Sequence, residues 1–151
     1  MTIAVGEKAP DFTLPSTRGE ISLEALLSEG PLLLVFYPGD DTPVCTKQLC
    51  NYRDNLASFD ELDINVLAIN PQSEESHAAF AKKYSLPFPV ASDSGGKVCS
   101  AYGAMSFLSM AKRALVLIGR DGTVVWSQSS LPIFHQSAAD IRKAIAGLDL
   151  E

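Results

Sequence analysis

Six apolar residues in a row, LLLVFY at 32–37, stop abruptly at Pro38 and Gly39. The run is far too short to cross a bilayer, and it has no polar alternation that would leave one face to water. It is expected to be a central strand buried on both faces, which requires covering layers above and below it. The remaining chain supplies candidates for those layers. INVLAIN (64–70) reads as a second buried strand, FPVAS (88–92) as a short one, and PDFTLPS (10–16) as an extended segment with Phe12 and Leu14 on one face. ALVLIGRDGTVVWSQS (114–129) reads as a hairpin turning through Asp121-Gly122. Strands alternate with helical patterns and one antiparallel hairpin comes late, so the fold class is α/β, a mixed central sheet flanked by helices. At 151 residues the chain is expected to form a single domain over 1–151. A domain of that size buries roughly 70% of its unfolded surface and needs no disulfide staples.

Helix signals fill the gaps between strands. ISLEALLSEG (21–30) holds a short helical turn ending at Gly30. After Pro38 and Gly39, Thr42 is a good N-cap and Pro43 a good first helical residue. Leu49, Tyr52, Leu56 and Phe59 then continue an apolar stripe that begins at Cys45. SEESHAAFAKKYS (73–85) is a helix capped by Ser73, KVCSAYG (97–103) a short helix closed by Gly103, and SAADIRKAIAGL (137–148) a helix capped by Ser137 with Ile141 and Ile145 inward.

A net charge of −6 without a Lys/Arg cluster gives no nucleic-acid footprint. The N-terminus lacks a basic segment followed by an apolar run, so the expectation is a cytoplasmic protein that engages no membrane. There, three cysteines point to metal or redox chemistry rather than structural disulfides. Cys45 falls at the third position of the expected helix, where unpaired N–H groups and the helix dipole favour a thiolate. Asp40 and Asp41 oppose this, so a cation must come from elsewhere or the acids must point away. Cys50 lies about 140° around and roughly 7.5 Å along the same helix, putting the Cα atoms about 8–9 Å apart. A disulfide needs less than about 7 Å, so either the two never pair or the helix start unwinds when they do. Zinc is disfavoured because Cys99, His77 and His135 form no second ligand pair, and C-x-x-C, the mark of a disulfide exchanger, is absent. Cys99 reads as an inert buried thiol, and His77 and His135 as surface or packing histidines.

GEKAPDFTLP, VFYPGDDTPVCTKQLCNYRD, FPVASD, KVCSAYG and RALVLIGRDG, in this order over nearly the whole chain, resemble the peroxiredoxins, in particular the bacterioferritin-comigratory or Q-type subgroup. The motif P-x-x-x-T-x-x-C is matched by Pro38, Thr42 and Cys45, and the second cysteine of the subgroup by Cys50. The resemblance implies a thioredoxin-like fold with Cys45 as peroxidatic cysteine. Thr42 would hold thiolate and peroxide, Pro38 would shield the site, and Cys50 would be the resolving cysteine. Arg113, opening RALVLI, would be the missing cation. Ala114 and Leu115 depart from the Ser or Thr frequent in the family, and Gly119 from a common Asp. Some relatives take the resolving cysteine from another helix, which makes Cys99 a minor rival to Cys50, while Arg53 and Arg120 read as surface residues.

The implied activity is a thiol-dependent peroxidase. Hydroperoxide oxidises Cys45 to a sulfenic acid, Cys50 closes a disulfide after the helix start unwinds, and thioredoxin or a similar dithiol restores both thiols. No metal or organic cofactor enters this chemistry. A monomer is implied, since the C-terminal extension and cysteine of the obligate-dimer subgroup are missing. A redox sensor or interaction module on the same fold would share every motif and differ in turnover.

Overall fold

The computed structural model describes residues 2–106, 110–130 and 136–148. In chain order the elements are β1 (Thr13–Ser16), β2 (Gly19–Ser22), α1 (Leu23–Leu27), β3 (Leu32–Phe36), α2 (Pro43–Asp54), α3 (Leu56–Asp60), β4 (Asn65–Asn70), α4 (Glu74–Tyr84), β5 (Val90–Ser92), α5 (Lys97–Ala101), β6 (Arg113–Ile118), β7 (Val124–Ser130) and α6 (Ala138–Ile145). The seven strands form one sheet in the order β2-β1-β5-β4-β3-β6-β7. Strand β3 pairs in parallel with β4 and antiparallel with β6, so the sheet is mixed.

All five residues of β3 are buried, as expected for a central strand. Successive side chains point to opposite faces. Leu33, Val35 and Tyr37 enter one core cluster with Val66, Ala68, Leu115 and Leu117, covered by Leu49 and Tyr52 of α2, Phe59 of α3, Phe80 of α4 and Ile141 of α6. Leu32, Leu34 and Phe36 enter the other with Leu67, Ile69 and Val116, covered by Leu23 of α1 and by Cys99 and Tyr102. The two faces thus carry different helices, and the parity of a strand residue decides which core it joins.

Several expectations hold in detail. Ser73 caps α4 by accepting from the Ser76 amide, and Ser137 forms a reciprocal capping box with Asp140 on α6, whose Ile141 and Ile145 point inward. Two expectations needed correction. The stripe from Cys45 to Phe59 is not one helix, because the chain breaks at Asn55. There the side-chain amide donates to the Asn51 carbonyl at 2.8 Å, competing with the backbone ladder. Ile21 and Ser22 belong not to the helical turn but to β2, which pairs with β1 through a turn in which Ser16 Oγ donates to the Gly19 carbonyl.

Gly30 sets the entry to β3. Its φ is +153°, and a Cβ there would lie 2.3 Å from the Asp63 carbonyl oxygen. That close approach lets Asn65 donate to the Pro31 carbonyl and start the β3–β4 ladder. Gly30→Ala should therefore cost about 2–3 kcal/mol of stability, read as a lower midpoint in equilibrium urea unfolding.

Candidate active site

The site forms where β3 leaves the sheet. Residues 37–42 pass from the end of β3 into α2, with Pro38 half-buried and Pro43 at the first helical position. Cys45 is the third residue of α2 and is fully buried. Thr42 occupies the N-cap position with extended backbone, but its hydroxyl does not cap the helix; Oγ1 donates to the Gly39 carbonyl at 3.2 Å. The Thr42 side chain is therefore committed to the turn in front of the helix, and no hydrogen bond joins it to Cys45 among the described residues.

Arg113 reaches Cys45 from the neighbouring strand. Phe36 at the end of β3 pairs with Ala114, so Arg113 stands beside the exit of the chain into the site loop. It shares parity with Leu115 and Leu117, which face the α2 side of the sheet. Its Nη2 donates to Cys45 Sγ at 3.1 Å, and the residue is almost fully buried. A positive charge at that distance, with little water to screen it, stabilises negative charge on the sulfur.

Gln48 was absent from the residues singled out by sequence. It is fully buried one turn after Cys45, and its Oε1 accepts from Arg113 Nη1. Its Nε2 donates to the Tyr52 hydroxyl at 2.9 Å, which in turn donates to the Gln136 carbonyl at 2.6 Å. Burial pushes the Tyr52 hydroxyl well above its usual pKa, so it remains a neutral donor. The chain Cys45–Arg113–Gln48–Tyr52 thus fixes the guanidinium from both sides. The signal in the sequence was a glutamine inside the apolar stripe, at i+3 from Cys45 and i−4 from Tyr52.

The two acids expected to oppose a thiolate turn onto α4. Asp40 accepts from Tyr37, from Ser76 Oγ at 2.6 Å and from His77 Nδ1 at 2.6 Å. Asp41 accepts from Lys83 Nζ at 2.8 Å and the Tyr84 hydroxyl at 2.6 Å. His77 is thus no surface residue; it is buried and joined to the site loop, while His135 lies outside the described residues. Burial works to raise the Asp40 pKa, but the bonds from His77, Ser76 and Tyr37 outweigh it and hold the carboxyl below its ordinary range. Burial and the neighbouring Asp40 push the Tyr37 hydroxyl well above its usual value.

The three cysteines are free thiols in distinct settings. Cys50 is half-buried on α2, so the helical separation of about 8–9 Å from Cys45 applies to this state. Cys99 lies in the core on the opposite face of the sheet, and its amide donates to Asp93 Oδ2 at 2.7 Å. Burial, followed by the bond and charge of Asp93, pushes its thiol far up. The sheet therefore separates Cys99 from Cys45, whereas Cys50 shares its helix. Among the described residues, no group of three or more His, Cys, Asp or Glu side chains is disposed to hold a metal ion, and no helix is long and apolar enough to cross a membrane. Arg53 and Arg120 are each about one-third exposed and make contacts with Asp54 and Asp63 respectively.

Comparisons with known proteins bear on the family and the fold. Residues 5–127 match the model of the AhpC/TSA family. A Coxiella burnetii protein named putative peroxiredoxin bcp is 45% identical over 106 residues, covering 70% of each chain. The chloroplastic peroxiredoxin Q of Sedum lineare is 39% identical over 125 residues, 81% of this chain and 67% of that one. Across the curated relatives the matched stretch spans from 56% to 70% of their own lengths. The crystal structure of peroxidoxin BcpB from Mycobacterium tuberculosis superposes with a TM-score of 0.83 at 34% identity, covering 97% of this chain and 95% of that one.

The depressed carboxyl of Asp40 has a consequence for stability. Such a group stabilises the fold above the ordinary aspartate range, and the contribution is lost as pH falls through its lowered value. Urea midpoints should therefore drop below about pH 4 in the native chain. In Asp40→Asn the midpoint should be lower at neutral pH and fall less steeply with acid.

Proposed function

This chain belongs to the AhpC/TSA family, and on that premise we propose that it is a thiol peroxidase working through Cys45, with Cys50 as the resolving thiol. The observation that carries the reading is the Arg113 guanidinium 3.1 Å from a fully buried Cys45 sulfur in the first turn of a helix. Such a site holds the sulfur as a nucleophile and offers N–H donors to the oxygen that gains charge as the O–O bond breaks.

The thiolate attacks one oxygen of ROOH. An S–O bond forms, the O–O bond breaks, and the proton of the hydroperoxide ends on the leaving oxygen, giving ROH and the sulfenate of Cys45. Once that sulfenate is protonated, Cys50 thiolate attacks the sulfur. The S–S bond forms as the S–O bond breaks, and the oxygen leaves as water with the proton Cys50 gave up. Because Cys45 and Cys50 are too far apart within an intact helix, the first turns of α2 unwind for this step. A dithiol of the thioredoxin type then reduces the disulfide and is itself oxidised. Pro38 shields the loop side of the site, and Thr42 Oγ1, which donates its proton to the Gly39 carbonyl, keeps lone pairs at the helix mouth to accept from the bound peroxide. Gln48 orients Arg113. The reading includes a single domain that acts as a cytoplasmic monomer; the half-buried Cys50, on the helix of Cys45, supports intramolecular resolution.

Cys45→Ser should abolish peroxide consumption in an assay coupled to thioredoxin; retained turnover would overturn the reading. Arg113→Met should lower the second-order rate of Cys45 oxidation by about 100-fold or more, and Gln48→Leu by about tenfold, followed by stopped-flow kinetics. After one equivalent of peroxide, peptide mapping should find a Cys45–Cys50 bond, and amides over 44–51 should lose hydrogen-exchange protection. A Cys45–Cys99 bond would transfer the resolving role to Cys99.

A further inference from the structure

The loop that delivers Cys45 to Arg113 is held by side chains on α4. Asp40 and His77 are nearly dry, with side chains 4% and 1% exposed. Asp40 takes three hydrogen bonds on its carboxylate, from Tyr37, Ser76 and His77, while its backbone amide donates to Gln72 Oε1 at 2.5 Å. Gln72 is itself anchored, with its amide donating to Asn70 Oδ1 and its carbonyl accepting from Ser92 Oγ. Asp41 takes the left-handed conformation, φ 57°, and is tied to Lys83 and Tyr84. The anchor is firm: α4 runs over 11 residues, is capped by Ser73 and buries Phe80 against Tyr37 with ring centroids 6.2 Å apart. Two residues after Asp40 the chain reaches the N-cap of α2, and three more bring it to Cys45.

We propose that Asp40 and His77 are positioning residues that clamp the site loop onto α4 in the attack-ready conformation, and so set the balance between peroxide attack and resolution by Cys50. Their role presupposes the peroxidase chemistry given above. Attack needs Cys45 beside Arg113, which the closed clamp secures. Resolution needs Cys45 to leave Arg113 and travel toward Cys50, drawing the attached loop with it. A buried carboxylate with three donors resists that movement, because opening the loop leaves His77, Ser76 and Tyr37 without their shared acceptor. The clamp therefore lengthens the life of the sulfenate. During that time a second hydroperoxide can oxidise it, Cys45–SO⁻ plus ROOH giving Cys45–SO₂⁻ plus ROH, with the sulfur oxidised and the peroxide reduced. A tighter clamp raises the sulfinate yield per turnover and a looser one lowers it.

The test compares the native chain with His77→Gln, which keeps a shorter donor, His77→Ala, which has none, and Ser76→Ala, which removes one bond and spares the Asp40–His77 pair. Rapid-quench mass spectrometry would follow thiol, sulfenate, disulfide and sulfinate at rising hydrogen peroxide. In His77→Ala, disulfide formation should accelerate about tenfold, with slower Cys45 oxidation and a lower sulfinate yield at equal peroxide. Ser76→Ala should move the same way by less, and His77→Gln should fall between His77→Ala and the native chain. A purely structural role would slow both steps together. Disulfide formation at the native rate or slower in Ser76→Ala and in whichever His77 variants fold would overturn the clamp while leaving the peroxidase reading intact. A native chain that consumes no peroxide would overturn both.

Discussion

The contact between Arg113 and Cys45 joins the sheet to the helix that carries the chemistry, and much of the architecture serves it. A guanidinium buried beside a sulfur needs a fixed approach, because its charge is costly to bury without a partner. The approach comes from register. Strand β6 lies against β3 with Phe36 opposite Ala114, so Arg113 stands at the exit of the chain toward α2. Parity then turns it to the face occupied by α2, together with Leu115 and Leu117. A one-residue slip would turn the arginine to the other face, toward the core that holds Cys99. Gln48 and Tyr52 complete the support from the helix side, so the guanidinium is held by bonds as well as by packing.

Charge around the site is arranged by direction rather than by composition. Two aspartates within five residues of Cys45 would oppose an anion if they faced it. Instead their carboxylates satisfy donors on α4, and the same bonds that remove them from the sulfur shape the loop that presents it. Electrostatics and loop geometry are one device here: the contacts that hold the chain in place are the ones that engage the two carboxylates on α4.

The three cysteines show how little a residue type says without its surroundings. Cys45 sits beside a cation, Cys50 is half-buried further along the same helix, and Cys99 is sealed in the opposite core next to Asp93, whose charge and bond favour the protonated thiol. The difference in reactivity argued for them follows from which face of the sheet and which turn of a helix each occupies, since charge, burial and reach all change with that placement.

Local signals were legible in the chain alone. The apolar run at 32–37, its Pro-Gly stop, the caps Ser73 and Ser137 and the Asp-Gly turn act over a few residues, and they located β3, the start of α2, α4, α6 and the late hairpin. The helical spacing of Cys45 and Cys50 was likewise readable, because helix geometry is the same wherever it forms. Long-range partners were not legible from local pattern: Arg113 was proposed only through family resemblance, that Asp40 and Asp41 point away was one of two open alternatives with no partner named, and Gln48 and the tie of His77 to the site loop were missed. Each depends on contacts between residues 36 or more apart in sequence, and period and propensity carry no information about which strand edge or helix face will meet. The sequence by itself determined most of the elements, though not the break at Asn55 or strand β2, and it determined the thiol spacing. Only the tertiary structure decided which charges surround the sulfur, since that is settled by strand register and by which faces the packed layers present.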